Sequence, residues 1–296
     1  MMTIPAKTII TRKPDNSWFG TDYNMNIYKG CCHGCIYCDS RSDCYQVKDF
    51  DTVRVKENAL SIIHSELRDK KKTGVIGTGS MSDPYNPFEE QYELTRQSLE
   101  LIDYHKFGIG IATKSDLITR DIDILKKIKE HSPVICKITV TAADDKLCRQ
   151  LEPGVCVSSA RFTAIKKLSE AGIFTGILMT PLLPYLTDTP DNITQIIHAA
   201  YHNGAKFIFP LFGVTLRTGQ REYFYQKLDQ LFPGKQLKQQ YAKRYGASYE
   251  CHSAREQELG AIFKAECNRL GILYRMEDII KSYKAAYEFK QLSFFY

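Results

Sequence analysis

Long apolar runs are missing from this 296-residue chain: no stretch approaches the length needed to cross a bilayer. Residues 1–15 also lack an apolar stretch of signal-peptide length, so the expected location is the cytoplasm and no membrane partner is expected. Internal repeats, low-complexity tracts and long flexible linkers are absent too, which excludes a repeat array. A large excess of charge is lacking, with 40 Lys and Arg against 34 Asp and Glu. What remains is an ordinarily globular composition, long enough to bury a large core.

The modest net charge of +6 is unevenly placed. Between Lys206 and Tyr245 there are eight Lys or Arg against Glu222 and Asp229, together with nine aromatics that include Tyr223-Phe224-Tyr225. Cations interleaved with aromatics suit a polyanion with stackable bases. A solvated helical face over a packed underside gives the same composition.

From residue 70 to 212, β-rich runs alternate with helical ones, the signature of βα units around a parallel sheet. The predicted strands are 23–28, 74–79, 108–113, 134–141, 174–180 and 206–212. The predicted helices are 59–70, 93–105, 118–130, 158–171 and 191–202, each with apolar residues three and four apart. Asp191 after Pro190 is the expected cap of the last helix, and Gly172 and Gly204 are expected just past helix ends. The fold class is therefore α/β, a partial, six-stranded TIM-type βα barrel with a mainly helical C-terminal extension. Its expected divisions are an N-terminal extension over 1–20, the barrel over 21–214 and a helical region over 215–296. Chemistry is expected at the C-terminal ends of the strands.

Ten cysteines in a chain of this kind point to metal ligation rather than disulfides. Five of them, Cys31, Cys32, Cys35, Cys38 and Cys44, fall within fourteen residues; the other five are scattered and read as packing residues. Cys31, Cys35 and Cys38 form a C-x3-C-x2-C spacing directly after the first strand. Three thiolates on such a loop hold three irons of a cubane and leave the fourth open. Gly30 and Gly34 let the loop fold tightly. A zinc site made from four of Cys31, Cys32, His33, Cys35, Cys38 and Cys44 is the alternative, although no second C-x-x-C pair follows. Such a chain would be a zinc-stabilised nucleic-acid binding module.

With an aromatic, Tyr37, before its last cysteine, this loop resembles that of radical S-adenosylmethionine (SAM) enzymes. Ser82-Asp83-Pro84-Tyr85, Thr113-Lys114-Ser115, Lys137-Ile138-Thr139-Val140-Thr141 and Leu151-Glu152-Pro153-Gly154 with Arg161 follow in order. Together they resemble the spore photoproduct lyase-like branch, over about residues 23–212. The resemblance implies a [4Fe-4S] cluster on Cys31, Cys35 and Cys38, with SAM chelating the open iron. It implies an electron donor such as flavodoxin or ferredoxin, and reductive cleavage of SAM to a 5′-deoxyadenosyl radical.

By the same resemblance Lys114 pairs with the SAM carboxylate, Thr139 and Thr141 touch SAM, and Tyr37 lies beside the adenine. Gly77 and Gly79, in Gly77-Thr78-Gly79-Ser80, stand where many members carry Gly-Gly-Glu, and their backbone gives access to the SAM amino group. Asp83 is the candidate replacement for the glutamate, and Asp83 and Tyr85 are the candidate catalytic side chains. Glu152 and Arg161 are alternatively a structural pair. The branch relays hydrogen through a cysteine near the end of the second strand and a tyrosine after the third cluster cysteine. Here those positions hold Ser80 and Asp39. The expected substrate is nucleic acid or a nucleotide-derived molecule, in a DNA repair lyase-like reaction; a peptide or small metabolite is the alternative. Finally, Gln291-Leu292-Ser293-Phe294-Phe295 resembles the peptides that dock on the DNA sliding clamp, which makes the clamp an expected partner.

Overall fold

The computed structural model describes residues 2–287. Seven strands form the main sheet: β2 (Ile10–Arg12), β3 (Tyr23–Met25), β6 (Val75–Thr78), β7 (Gly108–Thr113), β8 (Val134–Thr139), β9 (Phe174–Met179) and β10 (Phe207–Pro210). Their spatial order is β10-β9-β8-β7-β6-β3-β2. Six run parallel and β2 pairs antiparallel with β3. This is the six-stranded partial TIM-type barrel, with one short antiparallel strand added at its edge. Helices α1 (Ala59–Asp69), α3 (Leu94–Tyr104), α4 (Ile122–Lys129), α6 (Ser158–Glu170) and α7 (Pro190–His202) connect the strands. Shorter helices α2 (Glu89–Tyr92) and α5 (Asp145–Leu151) lie in the loops at the strand C-terminal ends.

Because both faces of the sheet are buried, the strands read as nearly continuous apolar runs, yet the faces differ. Ile76, Ile109, Ile111, Cys136, Ile138 and Ile177 pack outward in the large core with the helices. Val75, Ile135, Leu178 and Phe207 point inward, where they meet Phe19, Ile279 and Tyr283. The inward face is narrow, and small residues make room. A Cβ at Gly176 would lie 2.4 Å from the Phe207 ring.

The predicted strand over 23–28 is two strands. Tyr23–Met25 pairs with β6, whereas β4 (Tyr28–Lys29) pairs antiparallel with β5 (Arg54–Lys56) in a small sheet completed by β1 (Met2–Ile4). The cysteine loop thus leaves from this side sheet. At the start of α7 the capping side chain is Thr189, with Pro190 at the first helical position; Asp191 sits inside the first turn. Gly172 and Gly204 follow α6 and α7 with φ of +75° and +77°, as expected.

Beyond the barrel, α8 (Gln220–Leu231), α9 (Leu237–Tyr245), α10 (Glu256–Leu270) and α11 (Met276–Lys284) make the C-terminal region mainly helical. The exception is a hairpin of β11 (Gly213–Thr215) and β12 (Glu250–His252). Each part has a structural task. Leu273 bonds to Lys206 and Ile208 along the open edge of β10, which covers that edge. Helix α11 closes the barrel floor: the Tyr283 hydroxyl donates to the Phe19 carbonyl at 2.7 Å, and Lys284 donates to that of Gly20. Helices α8 and α9 bury Phe224, Leu228, Leu237 and Tyr241 against Cys35, Ile36 and Tyr37, so the cysteine loop sits on a second core. The basic, aromatic segment is accordingly sorted: Phe207, Phe224, Phe232 and Tyr241 are buried, and they form no open stacking face. No helix among the described residues is long and apolar enough to cross a membrane. Gln291–Phe295 lies outside the described residues.

Candidate active site

The inward residues at the C-terminal ends of the strands form the floor of a pocket of about 250 Å³. Gly79, Ala112, Thr139 and Leu178 line it from below, and Cys31, Cys35, Tyr37 and Cys38 from one side. Three sequence-predicted features, the cysteine loop, the end of β7 and the end of β8, therefore converge.

The loop is held by its backbone. Cys31 N–H donates to the Phe50 carbonyl at 2.8 Å, Ile36 N–H to Leu151 at 3.0 Å, and Gly154 N–H to His33 at 2.9 Å. Gly30 has φ +81°, and a Cβ there would lie 2.3 Å from the Thr52 carbonyl oxygen, so only glycine fits. Beneath the loop lies a fully buried ion pair: Arg161 Nη2 is 2.5 Å from Glu152 Oε2. The guanidinium also donates to the carbonyls of Thr139 and Cys156, both at 2.9 Å, and the Tyr37 hydroxyl donates to Glu152. Burial pushes the Glu152 carboxyl up, but Arg161, then Lys114 and Tyr37, outweigh it and hold the carboxyl below its ordinary value. Both residues of the pair are structural supports, fixing the cysteine loop to the end of β8.

Lys114 reaches into the pocket with Nζ 5.7 Å from the centre of the Tyr37 ring. Burial pulls its pKa down, while Cys35, Glu152, Cys38 and Asp83 together raise it, so the ammonium stays charged. No carboxylate among the described residues lies within ion-pair distance of it. A charged, half-buried lysine without a salt bridge, pointing into a cavity, suits an anionic ligand group.

Asp83 lines the pocket, but its oxygens are engaged. Oδ1 accepts from Thr113 Oγ1 at 2.6 Å and from Tyr85 N–H at 2.9 Å; Oδ2 accepts from Lys114 N–H at 2.8 Å. The buried His33 imidazole stands 3.5 Å from Oδ2, a contact the sequence did not reveal. Asp83 thus ties the β6 and β7 ends together. Tyr85 is not brought to the pocket: it is 1% exposed, and its hydroxyl donates to Asp121 at 3.1 Å. Gly77 lies one layer down, against Thr21, and Thr141 is buried beyond the strand end with its carbonyl on Asn192. Neither lines the pocket. Ser80 and Asp39, at the two relay positions, do line it. Among the described lining residues, the three cysteines carry the only thiols. The one phenol, Tyr37, is committed to Glu152. Cys32 stands outside the pocket, and Cys44 is exposed beside Arg217.

Among the described residues, no three His, Cys, Asp or Glu side chains converge as a single metal ion requires. A cubane, whose irons occupy separate corners, needs three thiols facing one cavity, and Cys31, Cys35 and Cys38 do so.

The chain is similar to several known proteins. An uncharacterised protein of Mycobacterium tuberculosis is 29% identical over 228 residues, 74% of this chain and 66% of its own length, so the chain spans just under two thirds of that relative. An uncharacterised protein of Methanocaldococcus jannaschii is 35% identical over 57% of this chain and 63% of its own. The radical SAM Nalpha-GlyT isomerase of Pseudomonas phage M6 is 24% identical, over 65% of this chain and 43% of its own. A spore photoproduct lyase mutant with bound AdoMet and dinucleoside spore photoproduct superposes with a TM-score of 0.63. Its identity is 14%, over 86% of this chain and 77% of its own, which is a likeness of fold. Residues 25–198 match the radical SAM superfamily. Matched over more than half its length, and with three pocket-facing cysteines at the expected spacing, the chain belongs to the radical SAM superfamily, whose cofactors are a [4Fe-4S] cluster and SAM.

Proposed function

We propose that this radical SAM enzyme acts on a nucleic acid or a nucleotide-derived substrate. The observation that carries the reading is the pocket mouth. Arg217 stands there, 3.5 Å from the pocket-lining Asp39, with its guanidinium 4.6 Å from the Tyr249 ring and 5.7 Å from the Tyr45 ring. Tyr249 is 42% exposed. An arginine beside an exposed tyrosine at the edge of a cavity suits a phosphate together with a base withdrawn from its stack. One similar structure supports it by name: the lyase whose structure holds a dinucleoside spore photoproduct.

When bound, the cluster and SAM supply the one-electron bond cleavage that starts the reaction. The chain's residues do the positioning. Cys31, Cys35 and Cys38 hold three irons; Lys114 offsets the SAM carboxylate; Thr139 and the Gly79 backbone offer polar contacts from the floor. Tyr37 forms a wall, fixed by Glu152. Ser80 and Asp39 cannot relay a hydrogen atom as a thiol and a free phenol do. The product-forming step therefore differs from simple dimer reversal by that relay.

The test is anaerobic SAM cleavage in deuterated solvent with oligonucleotides, nucleotides, peptides and small metabolites. Nucleic acid or nucleotide should stimulate 5′-deoxyadenosine release, and oligonucleotide binding should weaken steeply with salt. Stimulation by a peptide or metabolite alone would overturn the reading.

A further inference from the structure

The cysteine loop has a second face. Gly34 and Ile36, which flank Cys35 in the chain, line a depression of about 440 Å³ that shares no lining residue with the pocket. Pro153 and Leu231 complete an apolar floor. Around it stand Lys146 and Arg149 of α5 and Lys227 of α8. No Asp or Glu lines the depression, and none of these three cations makes a salt bridge among the described residues. The sulfur of Cys35 is thus a few covalent bonds from a basic-rimmed apolar surface, while the pocket side of the same loop is where SAM and substrate must sit.

We propose that this depression is the docking surface for an acidic one-electron carrier protein that reduces the cluster. This rests on the cluster assigned to Cys31, Cys35 and Cys38. The carrier loses one electron and the cluster gains one; no bond forms or breaks at the interface. The surface fits such a partner in two ways. Three cations without a salt bridge among the described residues complement a carboxylate rim and speed its encounter, and an apolar centre receives the apolar edge around the carrier's redox group. A nucleic acid fits less well. The floor is aliphatic, and a single half-buried aromatic, Tyr223, lines it, which is less than a run of bases needs for stacking.

The experiment uses the cluster-loaded enzyme and oxidised flavodoxin, an acidic flavin carrier, as the probe. Binding is measured by calorimetry at low and high salt, for the native chain and for the triple variant Lys146→Glu, Arg149→Glu, Lys227→Glu. Affinity should fall by roughly 10-fold or more in the variant, and salt should weaken the native complex. Substrate-free SAM cleavage driven by reduced flavodoxin should fall in step, whereas cleavage driven by dithionite, which needs no docking, should not change. Unaltered flavodoxin affinity overturns the proposal. So does an equal loss with dithionite, which would mark a folding or cluster defect, and so does loss of DNA binding with flavodoxin binding intact. Continued dithionite-driven cleavage shows that the cluster assignment stands even where the docking proposal fails.

Discussion

Replacing Arg161 by Met is the sharpest test of how the site is held. The guanidinium is fully buried and makes a 2.5 Å ion pair with Glu152, itself 1% exposed, and two 2.9 Å hydrogen bonds to the carbonyls of Cys156 and Thr139. Without it, a buried carboxylate keeps only Tyr37 and Cys148 as close partners. Breaking a buried pair on one side costs about 3–5 kcal/mol, because an uncompensated charge remains. Urea unfolding of the cluster-free protein, followed by the fluorescence of the single Trp18, measures it. The pH dependence has a definite sign. In the native chain the Glu152 carboxyl is held low, so its contribution is present above the unfolded pKa and is lost as pH falls. In the variant only Lys114 and Tyr37 still oppose burial, so the carboxyl is held down less and protonates more readily as pH falls; the deficit should shrink from pH 7 to pH 5. Adding Glu152→Gln should recover at least about 2 kcal/mol, a coupling expected only of residues in direct contact. A single-variant loss below about 1 kcal/mol, or a double variant as unstable as the sum of its singles, would refute the account.

Ala at Cys31, Cys35 or Cys38 should abolish bound iron and sulfide after anaerobic reconstitution, whereas Cys32→Ala and Cys44→Ala should retain both; iron and sulfide analysis decides. Lys114→Gln should weaken SAM binding by roughly 10- to 100-fold, the loss of one charge-assisted contact, read by equilibrium dialysis. Lys137 is buried in the barrel interior near the Phe19 ring, with its ammonium 3.5 Å from the Gly110 carbonyl, and burial pulls its pKa down to about 8 from 10.5. The unfolded chain therefore binds more protons between those values, so native stability should rise by about 3 kcal/mol from pH 8 to 10.5. Lys137→Met should flatten that rise in urea titrations and be more stable at pH 7; an unchanged slope would contradict the burial.

The barrel was legible because each helix shows a 3.6-residue period and each buried strand a short apolar run between glycines and turns. The pairing of the first strand was not. Tyr23, Met25, Ile27 and Tyr28 are buried alike, and nothing in their pattern says that Met25 pairs with Thr78 while Tyr28 turns to Val55. Strand β2, three residues long, is too short to show a period. The cysteine trio and Lys114 could be placed because strand ends converge in such sheets. Tyr85 was misplaced because a motif carries residue identity without orientation: in Asp83-Pro84-Tyr85, the aspartate turns inward to the pocket and the tyrosine outward to Asp121. The Asp83 contact with His33 crosses fifty residues of sequence, and no local pattern signals it.

What the sequence hid most completely is why the C-terminal region belongs to the site at all. Gln220 is fully buried and donates to the carbonyls of Tyr37 and Thr215, at 2.9 and 2.7 Å, so α8 is bonded directly to the cysteine loop. Asp43 N–H donates to Thr218, which joins the same two segments again. One helix therefore serves both faces of the loop. The turn before it carries Arg217 to the pocket mouth, and its middle carries Lys227 to the rim of the outer depression. If the two proposals hold, the loop takes substrate on one side and electrons on the other, and these bonds are what keep its thiols fixed between two partners. Of the cations between Lys206 and Tyr245, Arg217 stands beside the pocket-lining Asp39 and Lys227 lines the outer depression, so the stretch does not form one continuous polyanion-binding face.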